Sequence, residues 1–192
     1  NSLLYQIQKL FVLDLFDDNF EQVKGKITSS INLIFYKDSF SKIKVVNKII
    51  ESFGIPVIYL DLDLLFSGYI ESGQITSATN LKIIRPNIGN LKDLLPKILN
   101  KISIQKFLVI LDSLNGLYSF TNGDSPGRFV NSLIMLISAN LKYSQSILLV
   151  TCLAQKKENI WIMPTGKHIL ESENVNRFLI SESNEKIKFQ VI

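Results

Sequence analysis

The chain carries one cysteine, one histidine, one tryptophan and only three arginines (Arg85, Arg128, Arg177) among 192 residues. A single thiol excludes an intrachain disulfide. Cys152 lies inside the apolar run Ile147–Leu153 and reads as a small buried side chain in a reducing compartment. The lone His168 has no Cys or His companion at ligand spacing, so no metal site is expected there. Scarce arginine leaves few bidentate grips for phosphate. No apolar run approaches the roughly 18 residues that would suggest a membrane span. The first residues, Ser2 to Asp14, lack the basic start, apolar centre and small-residue cleavage site of a signal peptide. The expectation is a cytoplasmic protein, or a nuclear one in a eukaryote. An initial Asn rather than Met suggests that something upstream is missing.

What is present suits a globular protein: 46% apolar and 20% charged residues, with a net charge of +4 that permits an anionic partner without requiring one. Its length fits one domain over residues 1–192, opened by an amphipathic segment (residues 1–20) with Leu3, Leu4, Ile7, Leu10 and Phe11. Five short apolar runs recur at Ile31–Tyr36, Pro56–Leu62, Leu81–Ile84, Phe107–Leu111 and Ile147–Leu153. Nearly continuous rather than alternating, they read as parallel strands covered on both faces. Helical periods separate them. Lys42–Phe53 carries one apolar face and stops at Gly54-Ile-Pro56. Asn90–Ile102 opens with Asp93 as cap and Pro96 in the first turn. A third helix starts at Ser125-Pro126, runs to about Tyr143, and sets Phe129, Leu133, Leu136, Ile137 and Leu141 on an apolar face. Then Ile160–Met163, Arg177–Ser181 and Lys186–Ile192, with a turn at Asn184-Glu185, predict antiparallel strands at the sheet edge. The fold class is α/β in three layers around a mainly parallel sheet.

The segment Ser30-Ile-Asn-Leu-Ile-Phe-Tyr36-Lys-Asp-Ser-Phe-Ser41-Lys42-Ile43 has the layout of a phosphate-binding loop, strand then loop then helix. Such a loop needs glycines so that backbone N–H groups close around phosphate, a lysine for the β/γ phosphates, and a hydroxyl for Mg²⁺. Tyr36 and Ser41 stand at the glycine positions, Lys42 at the lysine, and Ile43 replaces the hydroxyl. Taken alone, a lysine after a strand is more often a solvated helix-start residue. Asp112, closing the run Phe107–Leu111, puts a carboxylate at the carboxyl edge of a buried strand, where open α/β sheets bind ligands. It also suits a simple cap of the next turn.

In order and spacing these pieces resemble the ATPase core of the RecA/RadA/KaiC superfamily, over roughly residues 20–192. Lys24-Gly25-Lys26-Ile27-Thr28-Ser29-Ser30-Ile31-Asn32-Leu33-Ile34-Phe35-Tyr36 is similar to the approach to the P-loop in the RadA and RadB branch, Tyr59-Leu-Asp61-Leu-Asp63 to the strand ending in a general base, and Asp112-Ser113-Leu114 to the Walker B end. Pro164-Thr-Gly166-Lys167 and Arg177-Phe-Leu look like later family stretches. The resemblance implies a RecA-like P-loop NTPase fold, Asp63 at the base position, and Lys42, Ser41 and Asp112 as a vestigial nucleotide site. Thr151-Cys152-Leu153 departs from the family's polar sensor.

Three readings follow. The first is a non-catalytic subunit working through a RecA-fold protein partner, similar to recombinase paralogues in DNA repair or to Elongator's RecA-like subunits in tRNA modification; Lys42→Ala is then expected to be nearly silent. The second is a weak or divergent ATPase using ATP and Mg²⁺, with Lys42 on phosphate, Asp112 on the metal and Asp63 as base. The third is nucleic-acid contact through Ala154–Lys167, where Lys156, Lys157 and Lys167 accompany Trp161. Burial of Trp161 against the C-terminal strands is the plainer expectation for that loop. None of the twelve Phe has Ala three residues later, so self-assembly through an F-x-x-A segment is not expected.

Overall fold

The structure is a computed structural model and describes residues 15–120, 126–158, 160–163, 175–183 and 186–192. After α1 (Phe20–Lys24) come β1 (Ile31–Tyr36), α2 (Ser39–Phe53), β2 (Val57–Asp61), α3 (Leu65–Glu71), β3 (Leu81–Ile84) and α4 (Leu91–Ile104). Then follow β4 (Leu108–Asp112), α5 (Leu114–Ser119), α6 (Pro126–Ser144), β5 (Ile147–Leu153), β6 (Gln155–Lys157), β7 (Ile160–Ile162), β8 (Val175–Ser183) and β9 (Lys186–Val191). Seven strands form one sheet in the order β3-β2-β4-β5-β1-β8-β9. All neighbours are parallel except the β8–β9 pair.

The near-continuous apolar runs have their cause in this order. Along β1, Ile31, Leu33 and Phe35 join the core under α4 and α6, whereas Ile34 and Tyr36 join the core under α1, α2 and α3. A strand covered on both faces cannot alternate with polar residues. Full burial of each Ile, Leu or Phe contributes about 1.5–3 kcal/mol. One polar residue interrupts β1. The two hydrogens of the buried Asn32 amide are shared among Ser30 O at 2.8 Å, Thr28 O at 2.9 Å and Leu148 O at 3.0 Å, and its oxygen accepts from Asn176 Nδ2 at 3.0 Å. It ties β1 to both neighbouring strands.

Several expectations need correction. Ile160–Ile162 does not extend the sheet edge; it pairs with Gln155–Lys157 in a separate antiparallel ribbon. The C-terminal edge is the antiparallel β8–β9 pair, and β8 itself runs parallel to β1. Pro96 lies inside α4 rather than in its first turn, and Asn90, not Asp93, occupies the cap position. There Asn87 and Asn90 exchange side-chain bonds of 2.8 and 3.0 Å that fix the entry. Of the apolar face expected on α6, Leu133, Ile137 and Leu141 are buried but Phe129 and Leu136 are exposed. Within the segment 1–20, Phe16 and Phe20 belong to the core beside β9. Leu3, Leu4, Ile7, Leu10 and Phe11 lie outside the described residues, as do Ser125, Lys167, His168 and the Asn184-Glu185 turn.

Candidate functional site

The turn after β1 sets the site. Asp38 takes an extended conformation and its Oδ2 accepts from Ser41 N at 2.6 Å, so α2 starts at Ser39, three residues earlier than the periodicity suggests. Partial burial works against the Asp38 charge, but hydrogen bonds from Ser41 and Phe40 outweigh it and hold the carboxyl below its usual range. A helix N-terminus attracts anions. Here the chain's own carboxylate takes a backbone N–H that a phosphate would need.

One turn into α2, Lys42 is fully enclosed and points to the end of β4. Its ammonium donates to Asp112 Oδ1 and Oδ2, both at 2.8 Å, and lies 3.6 Å from Asp63 Oδ2. Tyr59 donates its hydroxyl to Asp112 Oδ2, and Thr151 donates to Asp112 Oδ1. Each Asp112 oxygen thus accepts two donors, which uses the roughly four lone-pair sites of a carboxylate. The Tyr36 ring, at a position where a phosphate loop needs glycine, is buried 5.1 Å from Lys42 Nζ. Ile43 is buried in the core under α2.

Sheet register explains the convergence. Asp61 and Asp112 are register partners at the carboxyl ends of β2 and β4. Asp61, Asp63 and Asp112 offer oxygens within 4.8 Å of one another, the spacing of a cation site. Lys42 supplies a cation to two of the three, Asp112 and Asp63. Burial alone would pull the Lys42 pKa down, but Asp112, Tyr36 and Asp63 overcome it and leave the ammonium above its ordinary range. Burial pushes the Tyr36 phenol up to about 12, Lys42 opposing and the carboxylates adding. Burial and the Asp112 charge likewise push Tyr59 well above its usual value. Asp61 is raised chiefly by burial, against bonds from Ser67; Ser67 N reaches its Oδ2 at 2.9 Å, while Oδ1 has no partner among the described residues.

Mg²⁺ and nucleotide, which the resemblance implies, would find most of this donor set engaged, Asp61 Oδ1 excepted. Asp112 has no lone pair left for a metal, Ile43 offers no oxygen, Tyr36 stands in the cradle, and Asp38 holds the helix end. Lys42, Asp63 and Asp112 are thus brought together as the sequence suggests, and Ser41 lies beside them with its side chain buried. Sequence reasoning missed Asp61, Tyr59 and Thr151 as members. Spacing by two along β2 puts Tyr59 and Asp61 in step, with Asp63 two residues past the end of the strand, and that was the available signal.

A groove of about 410 Å³ runs between β3 and α4, lined by Ile58, Ile84, Leu94 and Ile98 among others. It opens on the sheet face opposite Lys42. The basic loop is separate again. Lys156 faces Trp161 across the β6–β7 ribbon, and both Lys156 and Lys157 are exposed. Trp161 is half-buried on the core under α4 and α6 rather than fully enclosed, and Lys37 Nζ stands 4.9 Å from its ring centroid. A nucleobase would have to displace that lysine to stack on the face it covers.

Layer arrangement and strand order define an α/β protein with the RecA-like fold. The crystal structure of a KaiC-like protein from the hyperthermophilic archaeon Pyrococcus horikoshii OT3 matches it with a TM-score of 0.50 at 15% identity, over 86% of this chain and 78% of that one. No protein-family model matches the chain, and no curated protein sequence does.

Proposed function

We propose that this chain is a non-catalytic RecA-fold subunit that works by assembling with protein partners, a RecA-fold protein first among them. The observation that carries the reading is the closed Lys42–Asp112 pair, in which the lysine meant for phosphate and the carboxylate meant for a metal neutralise each other. Phosphoryl transfer depends on positioning and electrostatic stabilisation, and both are spent inside the protein. The reading spans recombination and repair on one side and an Elongator-type assembly in tRNA modification on the other; the partner decides between them.

The experiment is Mg²⁺-dependent ATP hydrolysis together with calorimetric titration of ATP. No turnover above background and no binding heat are expected. Turnover that disappears in both Lys42→Ala and Asp112→Ala, in protein that remains folded, would establish instead a divergent ATPase with Asp63 as base.

A further inference from the structure

Helix α6 has 19 residues and not one Asp or Glu, with Arg128 and Lys142 as its only charges. Its buried side is an ordinary core face of Val130, Leu133, Ile134, Ile137 and Leu141. The outer side is the anomaly. An amphipathic surface helix turns charged and polar residues to water, yet here Phe129 is 41% exposed, Leu136 43%, Met135 57% and Tyr143 82%.

These side chains are spaced as a helix-pairing seam. Phe129, Leu136 and Tyr143 recur every seven residues, and Ser132 and Ala139, both exposed, form the second row between them. Large residues in one row and small ones in the other let a second helix approach closely and set its knobs over the small positions. Arg128, Met135 and Lys142 flank the seam on one side, all exposed. In such a pair the flanking positions carry the charges that choose the partner.

A second copy of α6 is a poor occupant. Packed antiparallel, its flanking row would meet the same row, Arg128 and Lys142 against their like. Packed parallel, those cations would face Leu133 and Asn140, neither charged.

Resting on the reading of the chain as a partner-binding subunit, we infer that the outer seam of α6 docks an amphipathic, acidic helix of a different protein. Apolar side chains of that helix lie between Phe129, Leu136 and Tyr143, and its carboxylates face Arg128 and Lys142. The surface lies on the sheet face opposite Lys42, so docking leaves the closed ion pair untouched.

The test titrates the whole chain with two fluorescent synthetic helices of about three heptads each, alike in a Leu/Ala seam but flanked by Glu in one and Lys in the other. The Glu-flanked helix should bind at least about fivefold tighter at low salt. Arg128→Glu/Lys142→Glu should reverse the preference, and Leu136→Asp should weaken both by about tenfold or more, all with unchanged melting temperature. Equal affinity for the two helices, or none for either, overturns the proposal. Partition onto phosphatidylserine vesicles without helix binding would assign the seam to a membrane surface. Self-association undiminished by Leu136→Asp, without helix binding, would refer it to copies meeting elsewhere. ATP turnover by the same sample would refute the non-catalytic reading and leave these titrations standing.

Discussion

Replacing Lys42 by Met should unfold much of this protein's margin of stability rather than leave it unchanged. The substitution keeps most of the side-chain volume but removes the ammonium held by both oxygens of the fully buried Asp112. Asp112 then keeps two hydroxyl donors, Tyr59 and Thr151, and faces the Asp61 and Asp63 carboxylates without a counter-charge. Removing one partner of a buried ion pair costs about 3–5 kcal/mol. At about 2–4 °C per kcal/mol for a chain of this size, the midpoint should fall by roughly 6–20 °C. Urea titration followed by circular dichroism measures the loss. Lys42→Met/Asp112→Leu, which removes both charges, should recover most of it, because replacing a buried pair by apolar residues is often neutral. The pair also has a pH signature. A lysine raised in the folded state supplies stability that is complete below its unfolded pKa of about 10.4 and is lost as pH climbs through the folded value. A Lys42→Met protein within about 1 kcal/mol of the parent, a change ordinary for surface sites, would refute the reasoning and return Lys42 to the role of a helix-start residue free to meet phosphate.

Asp61→Asn should stabilise the protein at neutral pH: a carboxyl raised by burial destabilises the fold when ionised and ceases to as pH falls through its folded pKa toward about 3.9. The gain over the parent in urea titrations should therefore shrink in acid, and a pH-independent difference would argue against the assignment. Gly116→Ala should cost about 1–3 kcal/mol, since the added Cβ would stand 2.9 Å from the Leu62 backbone, which cannot yield as a side-chain tip can; unchanged thermal melting would show that α5 shifts freely. Lys156→Glu/Lys157→Glu should abolish any weak, salt-dependent single-strand DNA binding and leave stability within about 1 kcal/mol. Affinity at low salt that survives the change removes the ribbon from consideration as a nucleic-acid surface.

The inner strands were legible because a run buried on both faces leaves no polar alternation to misread, and Ile31–Tyr36 and Ile147–Leu153 keep the ends expected from sequence. Lys42, Asp63 and Asp112 were legible through their order along the chain. Their mutual bonding was not. It depends on a contact across 70 positions and on the direction of one lysine side chain, neither of which spacing encodes. Tyr59 hid for another reason: in the apolar run Pro56–Leu62 it reads as core, and only its hydroxyl's destination makes it part of the site. On α6, periodicity found an apolar face wider than the core could cover, and sequence could not say that Phe129 and Leu136 fall on the outer side.

The closed pair also changes what a retained lysine means. In a working phosphate loop, Lys and the distant Asp are each held by the ligand and can be lost one at a time as activity fades. Here Lys42 is the one cation paired with Asp112 among the described residues, so losing the lysine alone leaves a bare carboxylate in the core, and losing Asp112 alone leaves the lysine with the longer Asp63 contact. Descendants of this chain should keep both or exchange both together for apolar residues. A survey that scores the lysine as a mark of activity would therefore count folding constraint as catalysis.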